Sequence, residues 1–217
     1  MFIVFEGIDG TGKTTLINNL KKYFCENENI NIFTTREPGG KNCPAAEKIR
    51  SLIFEFDNLS IVTELFLFLA SRIEHVKDVI LPNLNQKIIF CDRYYFSTIA
   101  YQSSKNITSD FINEINVKAL ELFNEPKLVY PNITFFLIPK SDQDLYKIME
   151  RKSHVKENRM DEKDFEFYHE VNENYKKIIK KYNNPNNFIS LDPLLNESEL
   201  LEQAKKIIKK MIKNENI

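Results

Sequence analysis

The sequence predicts an α/β fold of three layers: a five-stranded parallel sheet with helices on both faces. Three observations predict it. Short apolar runs rich in Ile, Val and Phe alternate along the chain with segments of helical spacing. The first run ends in a glycine-rich turn that opens a helix. The five glycines of the 217 residues, Gly7, Gly10, Gly12, Gly39 and Gly40, all fall within the first 40. Average usage would supply roughly 15, spread along the chain. Glycine lets backbone approach a ligand closely or take φ > 0. The N-terminal quarter is therefore where special backbone geometry is expected.

Each element follows in order. Residues 2–5 form a β-rich run ending at Gly7, and residues 14–25 place Leu16, Leu20 and Phe24 at helical spacing. Residues 30–35 read as a second strand. Residues 44–54 read as a helix with Pro44 in its first turn, where a missing N–H costs nothing. Residues 61–81 read as a helix stopped by Pro82. Residues 87–91, KIIFC, form a buried strand, and Thr108, Ser109 and Asp110 offer caps for a helix running to Phe123. Residues 133–138 are a fourth strand. Residues 144–150 and 165–182 are helical, with a charged stretch between them. Residues 188–191 are the last strand and residues 198–212 an amphipathic helix. In such sheets ligands sit beyond the carboxyl ends of the strands, which points to Glu6, Arg36, Asp92 and Pro139.

Composition excludes several classes. By length the chain reads as one domain, residues 1–217. Thirty basic and 31 acidic residues create no bulk field for nucleic acid or an anionic membrane. No apolar run approaches 18 residues; the longest, 65–70, is bracketed by Glu64 and Arg72 and reads as core. The apolar start has no basic flank or cleavage site, so no secretory signal is expected. Cys25, Cys43 and Cys91 form no CxxC pair, which suits reduced, buried thiols in the cytoplasm. His75, His154 and His169 show no metal-ligand spacing.

Residues 7–14, GIDGTGKT, match the phosphate-binding pattern G-x-x-x-x-G-K-[ST], with a strand before and a helix after. Backbone N–H groups of such a loop cradle phosphate oxygens, helped by the helix N-terminus. The loop of Gly7, Ile8, Asp9, Gly10, Thr11, Gly12, Lys13, Thr14 and Thr15 is the candidate ATP site. Lys13 reaches the β- and γ-phosphates in this reading, and the Thr14 hydroxyl sits on Mg²⁺. The loop alone does not separate kinase from GTPase or motor, but no guanine-reading NKxD motif occurs.

The third strand ends in Asp92-Arg93-Tyr94. An Asp there can hold Mg²⁺, partly through water, and the Arg a second phosphate group. Without the phosphate loop the same residues would read as an ion pair at a helix start. Only six arginines occur among the 30 basic residues: Arg36, Arg50, Arg72, Arg93, Arg151 and Arg159. Lysine is the default surface cation, and arginine is the better choice for bidentate recognition of a phosphate or a base edge. Arg36 and Arg93 stand at strand ends. Arg72 lies four residues after Phe68, so both project from one helix face. By spacing alone they are a core ring and an exposed charge, or a ring to stack on a base with a guanidinium for its edge.

These residues resemble the thymidylate kinase family, the P-loop nucleoside monophosphate kinases that make dTDP from dTMP. The matching segments, in chain order, are FEGIDGTGKTT (5–15), TREPGG (35–40), EKIRSLI (47–53), ELFLFLASR (64–72), CDRYYFSTIAYQ (91–102) and NRMDEKDFEFYHEVNENY (158–175). They span most of the chain and look like the bacterial branch. The resemblance implies a P-loop kinase fold with a short lid at about 151–161, ATP and Mg²⁺ as cofactors, and a cytoplasmic homodimer. It implies that Phe68 stacks on thymine while Arg72 and Gln102 bond its edge, with Ser97 and Thr98 on the base side. Tyr101 packs under the deoxyribose where a 2′-hydroxyl would go. Asp9 bonds the 3′-hydroxyl or helps organise Mg²⁺. Arg36, Arg50 and Arg93 surround the acceptor phosphate, and Pro38 follows a cis peptide that aims its loop. Arg151 and Arg159 serve the transferred phosphoryl group from the lid, since Thr11 stands where the eukaryotic branch has a P-loop arginine. The lid departs from the family at Asn158, usually an acid, and the segment after it at Tyr168, usually His; a solvated charged loop is the other reading of 151–161.

The reaction implied is in-line transfer of the ATP γ-phosphoryl group to dTMP. The acceptor is already ionised near neutral pH, so positioning and charge neutralisation carry the catalysis. Two alternatives stay open from sequence. A deoxynucleoside kinase of similar fold also has a Glu-Pro after its second strand, but usually shows ERS instead of DRY, and a Trp that this chain lacks. A P-loop regulatory ATPase would bind nucleotide without an acceptor. The stripe Ile61, Leu65, Phe66, Leu69, Ile73 and Val76 suits a dimer interface or plain core.

Overall fold

The computed structural model describes residues 1–40, 42–84, 86–123, 129–152, 163–182 and 187–214. Strands β1 (Phe2–Glu6), β2 (Ile32–Arg36), β3 (Ile88–Asp92), β4 (Ile133–Leu137) and β5 (Phe188–Leu191) form one parallel sheet in the order β2-β3-β1-β4-β5. The central strands β1 and β4 are buried along their whole length, as expected of continuous apolar runs covered on both faces. Helices α1 (Lys13–Asn27) and α9 (Glu197–Asn214) contribute to one core cluster, in which Leu16, Leu20 and Phe24 meet Leu200, Ala204 and Ile208. A second cluster involves α5 (Tyr95–Gln102), α6 (Ser109–Glu121), α7 (Asp142–Lys152) and α8 (Phe165–Tyr182). Helices α2 (Pro44–Glu55) and α3 (Ile61–His75) pack together and close the sheet end at which β2 and β3 terminate.

Register places the site. Arg36 pairs with Asp92, and Asp92 with Phe5, so the ends of β2, β3 and β1 stand level. Glu6 and Arg93 lie one residue beyond, at the switch point where successive connections depart to opposite sides of β1.

One helix expectation needs correction. Pro82 does not stop the helix begun at Ile61. One π-helical turn, Val76–Ile80, follows α3 and leads into α4 (Leu81–Leu84), which contains Pro82. Leu81 N–H donates to Val76 O, five residues back. The widened turn accommodates the pyrrolidine ring and its missing donor. The structure also holds a helix that the sequence reading did not place, α5. Phe96, Thr98, Ile99, Ala100 and Gln102 are buried, and eight residues are too few turns for a period to stand out. The cysteine expectation holds for Cys43 and Cys91, which are buried free thiols; Cys25 is free but exposed. Among the described residues no helix is long and apolar enough to cross a membrane, and no group of three His, Cys, Asp or Glu side chains has metal-binding spacing.

Candidate active site

All five glycines adopt positive φ. The need is clearest at Gly7, at φ +144°, where a Cβ would collide with the Leu137 carbonyl, and at Gly40, where it would meet the His75 ring at 2.8 Å. The loop from Gly7 curls so that Thr11 Oγ1 and Lys13 Nζ both donate to Ile8 O at 2.8 Å. Gly12 ends it in a left-handed conformation as the N-cap of α1, and no side chain caps that helix. The first-turn N–H groups of α1 therefore have no side-chain acceptor, the arrangement that suits a phosphate.

Lys13 is only 5% exposed. Burial and the neighbouring Arg93 charge bring its ammonium down to about 8, although Asp92, Asp9 and Glu6 pull the other way. Thr14 Oγ1 donates to Asp92 Oδ2 at 2.6 Å, while Asp92 Oδ1 is buried without a partner. A hydroxyl, a carboxylate and one orphaned oxygen beside a phosphate loop fit a hard divalent cation such as Mg²⁺.

Arg93 takes φ +69°, which turns its side chain back from the end of β3. Its Nη2 meets Asp9 Oδ1 at 2.6 Å and Tyr101 OH at 3.2 Å. Its Nη1 reaches Ser97 Oγ at 3.3 Å and Tyr175 OH at 3.4 Å, and the guanidinium lies 5.1 Å from the Tyr101 ring centre. Beneath it Glu6 is fully buried. Its carboxylate accepts from the N–H groups of Tyr94 and Ser97 and from the hydroxyls of Ser97 and Tyr175. Burial pushes this carboxyl above the usual range, against the pull of those donors and Arg93.

On the opposite wall the Glu37–Pro38 peptide is cis, as the resemblance implies. Arg50 Nη1 donates to Pro38 O at 2.9 Å and its guanidinium covers the Phe54 ring. Arg36 makes a two-pronged ion pair with Glu47, at 3.0 and 3.2 Å. Phe68 is half-buried, and Arg72 is 2% exposed instead of a surface charge. Arg72 Nε donates to Glu37 Oε2 at 2.8 Å, and the other Glu37 oxygen pairs with His75 Nδ1 at 3.0 Å.

One open cleft of about 740 Å³ brings most predicted residues together. Asp9, Gly10, Gly12, Lys13, Thr14, Thr15 and Asp92 line one end, and Arg36, Pro38, Arg50, Phe68, Arg72, Arg93, Ser97, Thr98 and Tyr101 the rest. Arg151 touches the cleft too, with Nη1 donating to Pro193 O at 3.3 Å. Gly7, Ile8 and Thr11 support the loop from beneath. Gln102 is not part of the cleft wall. At the last turn of α5 it is buried, and its amide donates to Glu64 Oε2 at 3.4 Å while Oε1 has no partner. Arg159 and the expected lid beyond Lys152 lie outside the described residues. Glu6 was placed at the site by its strand end, without a role; Tyr175, His75 and Asn116 were missed by sequence reasoning as site residues. Their one sequence signal is a polar group at a core position: Asn116 falls in the helical stripe between Ile112 and Leu120.

A phosphate loop on the central strand, with strand-end arginines facing it across one cleft, defines the class: a P-loop kinase acting on phosphorylated small molecules. Comparisons narrow it. The family model for thymidylate kinase matches residues 5–204. The thymidylate kinase of Acholeplasma laidlawii is 41% identical over 187 residues, covering 84% of this chain and 86% of that one. That of Mycoplasmopsis agalactiae is 35% identical, covering 99% and 95%. The crystal structure of thymidylate kinase from Ehrlichia chaffeensis superposes with a TM-score of 0.70 at 31% identity, over 96% and 98% of the two chains. The chain belongs to the thymidylate kinase family.

Proposed function

We propose that this protein phosphorylates dTMP to dTDP with ATP and Mg²⁺, by in-line phosphoryl transfer within a single folded unit. The observation that carries the reading is the single cleft: the Lys13 loop opens into the same space as the Arg93, Arg50 and Arg36 cluster and the Phe68–Arg72 wall. ATP phosphates are held by the loop N–H groups and Lys13. Thr14 and Asp92 hold Mg²⁺, which when bound offsets phosphate charge. Arg93, fixed by Asp9, Ser97, Tyr101 and Tyr175, orients the acceptor phosphate; Arg50 and Arg36 flank it. Phe68 stacks on the base, Arg72 and Thr98 meet its edge, and Gln102 backs that wall through Glu64. Tyr101 fills the space a 2′-hydroxyl would need, and Asp9 faces the 3′-hydroxyl. Arg151 and Arg159 neutralise the transferring group. The roles of Arg93 and Lys13 are electrostatic, so no residue need take a proton from an acceptor already ionised.

Glu37 favours this reading over a nucleoside kinase. A 5′-hydroxyl acceptor needs a carboxylate base there, but both Glu37 oxygens are engaged, by Arg72 and His75. The same proposal places the protein in the cytoplasm, which its three free cysteines support. It also makes the protein a homodimer. The stripe on α3 divides: Leu65, Leu69 and Val76 are buried, whereas Ile61 and Phe66 are exposed, with Val62 of α3 and Leu52 and Phe56 from the α2 side. Small molecules, not nucleic acid or membrane, are the partners.

A coupled ADP-release assay over a panel of deoxynucleoside and ribonucleoside monophosphates, with thymidine included, tests the reading. ADP release with dTMP well above all other acceptors is expected. Release with thymidine but not dTMP, or equal release with no acceptor, overturns it.

A further inference from the structure

The Arg72 guanidinium is gripped by three side chains from three elements. Nε donates to Glu37 Oε2 at 2.8 Å, Nη2 to Thr98 Oγ1 at 2.9 Å, and Nη1 to Asn116 Oδ1. Two of these partners are themselves held. His75 Nδ1 takes the second Glu37 oxygen at 3.0 Å, and His75 Nε2 meets Thr35 Oγ1 at 2.7 Å. Asn116 Nδ2 donates to Ile112 O at 2.7 Å, which fixes the amide so that its oxygen faces the arginine. Arg72 is 2% exposed; His75 and Asn116 are fully buried. Arg72 lines the cleft, but neither His75 nor Asn116 does.

A guanidinium carries five N–H donors and no acceptor. Three are taken, so a ligand in the cleft meets a rigid group able only to donate. A pyrimidine with a carbonyl at C4 accepts from it. One with an amino group at C4 sets N–H against N–H, which leaves buried donors unpaired on both sides. Rigidity decides the size of that penalty. An arginine that can swing aside avoids the clash and discriminates less.

We infer that Asn116 is a positioning residue that sets the preference for a C4 carbonyl over a C4 amino group, thymidylate over cytidylate, by holding Arg72 still. The inference rests on the proposed role of Arg72 as the base-edge donor. Among the described residues Asn116 is the one partner of Arg72 that neither lines the cleft nor belongs to the segments that carry the family resemblance. The chain Thr35–His75–Glu37 supports the other end of the guanidinium in the same way.

The test compares wild-type protein with Asn116→Ala, Asn116→Asp and Arg72→Ala. Dissociation constants for dTMP and dCMP are measured on each preparation, with kcat and KM for dTMP and the affinity for ATP alongside. Asn116→Ala is expected to cut the dTMP/dCMP affinity ratio about tenfold, mainly through tighter dCMP binding as the freed guanidinium avoids the amino group, with kcat for dTMP within about threefold and ATP affinity unchanged. Asn116→Asp keeps an oxygen for Nη1 but loses the donor to Ile112 O, and is expected to give a ratio between those of Asn116→Ala and wild type. A ratio of affinities on folded protein does not depend on how much of a preparation is active, so a merely structural role would leave it unmoved. If Arg72→Ala collapses the ratio but Asn116→Ala leaves it within about twofold of wild type, the inference is overturned while the reading of Arg72 stands. If Arg72→Ala also leaves the ratio intact, that reading falls and takes the inference with it.

Discussion

Lys13 combines two requirements that conflict. It must be buried to lie inside the phosphate loop, and it must be charged to hold phosphate. Burial and Arg93 lower it to about 8, so the free protein begins to lose this charge just above neutral pH. Phosphate binds the protonated form, and ATP binding accordingly weakens as pH rises through 8. Its Kd is predicted to rise by up to about one log unit per pH unit between pH 8 and 9.5, since a single proton is linked. Titration calorimetry checks this, and Lys13→Met should bind weakly with no such slope. Glu6 carries a different expectation. Glu6→Gln swaps one acceptor for a donor amid four donors, those of Tyr94 and Tyr175 buried and the two of Ser97 half-buried. A loss of about 2 kcal/mol in urea denaturation is expected from the stranded hydrogen bonds; an unchanged midpoint would show the network to be dispensable. Lys13, Asp92 and Arg93 were legible in sequence because their spacing is the chemistry. The place of Glu6 was legible from its strand end, but its role and that of Asn116 were not, because a buried acceptor acquires its role only from donors brought by other elements, in the case of Glu6 as far off as Tyr175.

Strands were read closely because each is a run of apolar residues covered on both faces, and such runs announce themselves without periodicity. Ends were read less closely: β2 begins at Ile32 and closes on Arg36, one residue later than expected, which is what brings that arginine into the sheet beside Asp92. Helix α5 escaped because eight residues give too few turns for a period to stand out. The capping expectation at α6 was correct in kind. Thr108 is the N-cap, its Oγ1 accepting from Phe111 N at 3.2 Å. Thr108→Ala should destabilise the fold by about 1 kcal/mol and Thr108→Ser by much less, as read by the denaturation midpoint. The π turn before Pro82 shows why a proline rule failed. A helix that widens by one residue no longer requires the donor that proline lacks, and composition alone does not reveal the widening.

At the scale of the molecule, the sheet brings the donor loop and the acceptor arginines together, and the α2–α3 face is left with Leu52, Phe56, Ile61, Val62 and Phe66 exposed. Phe66 is 52% exposed and does not line the cleft. Phe66→Asp is expected to convert the proposed dimer into a monomer in light scattering; a monomeric wild-type protein would contradict the proposed dimer. Which apolar helix residues face solvent could not be told from their spacing, because a stripe that covers a core and one that covers a partner have the same period. Following the transferred phosphoryl group tests catalysis itself. With γ-labelled ATP, Mg²⁺ and dTMP, the label is predicted to move to dTDP at a rate that falls by about 10³-fold or more in Lys13→Ala. Label recovered as inorganic phosphate with none in dTDP, or carried onto thymidine instead, would contradict it.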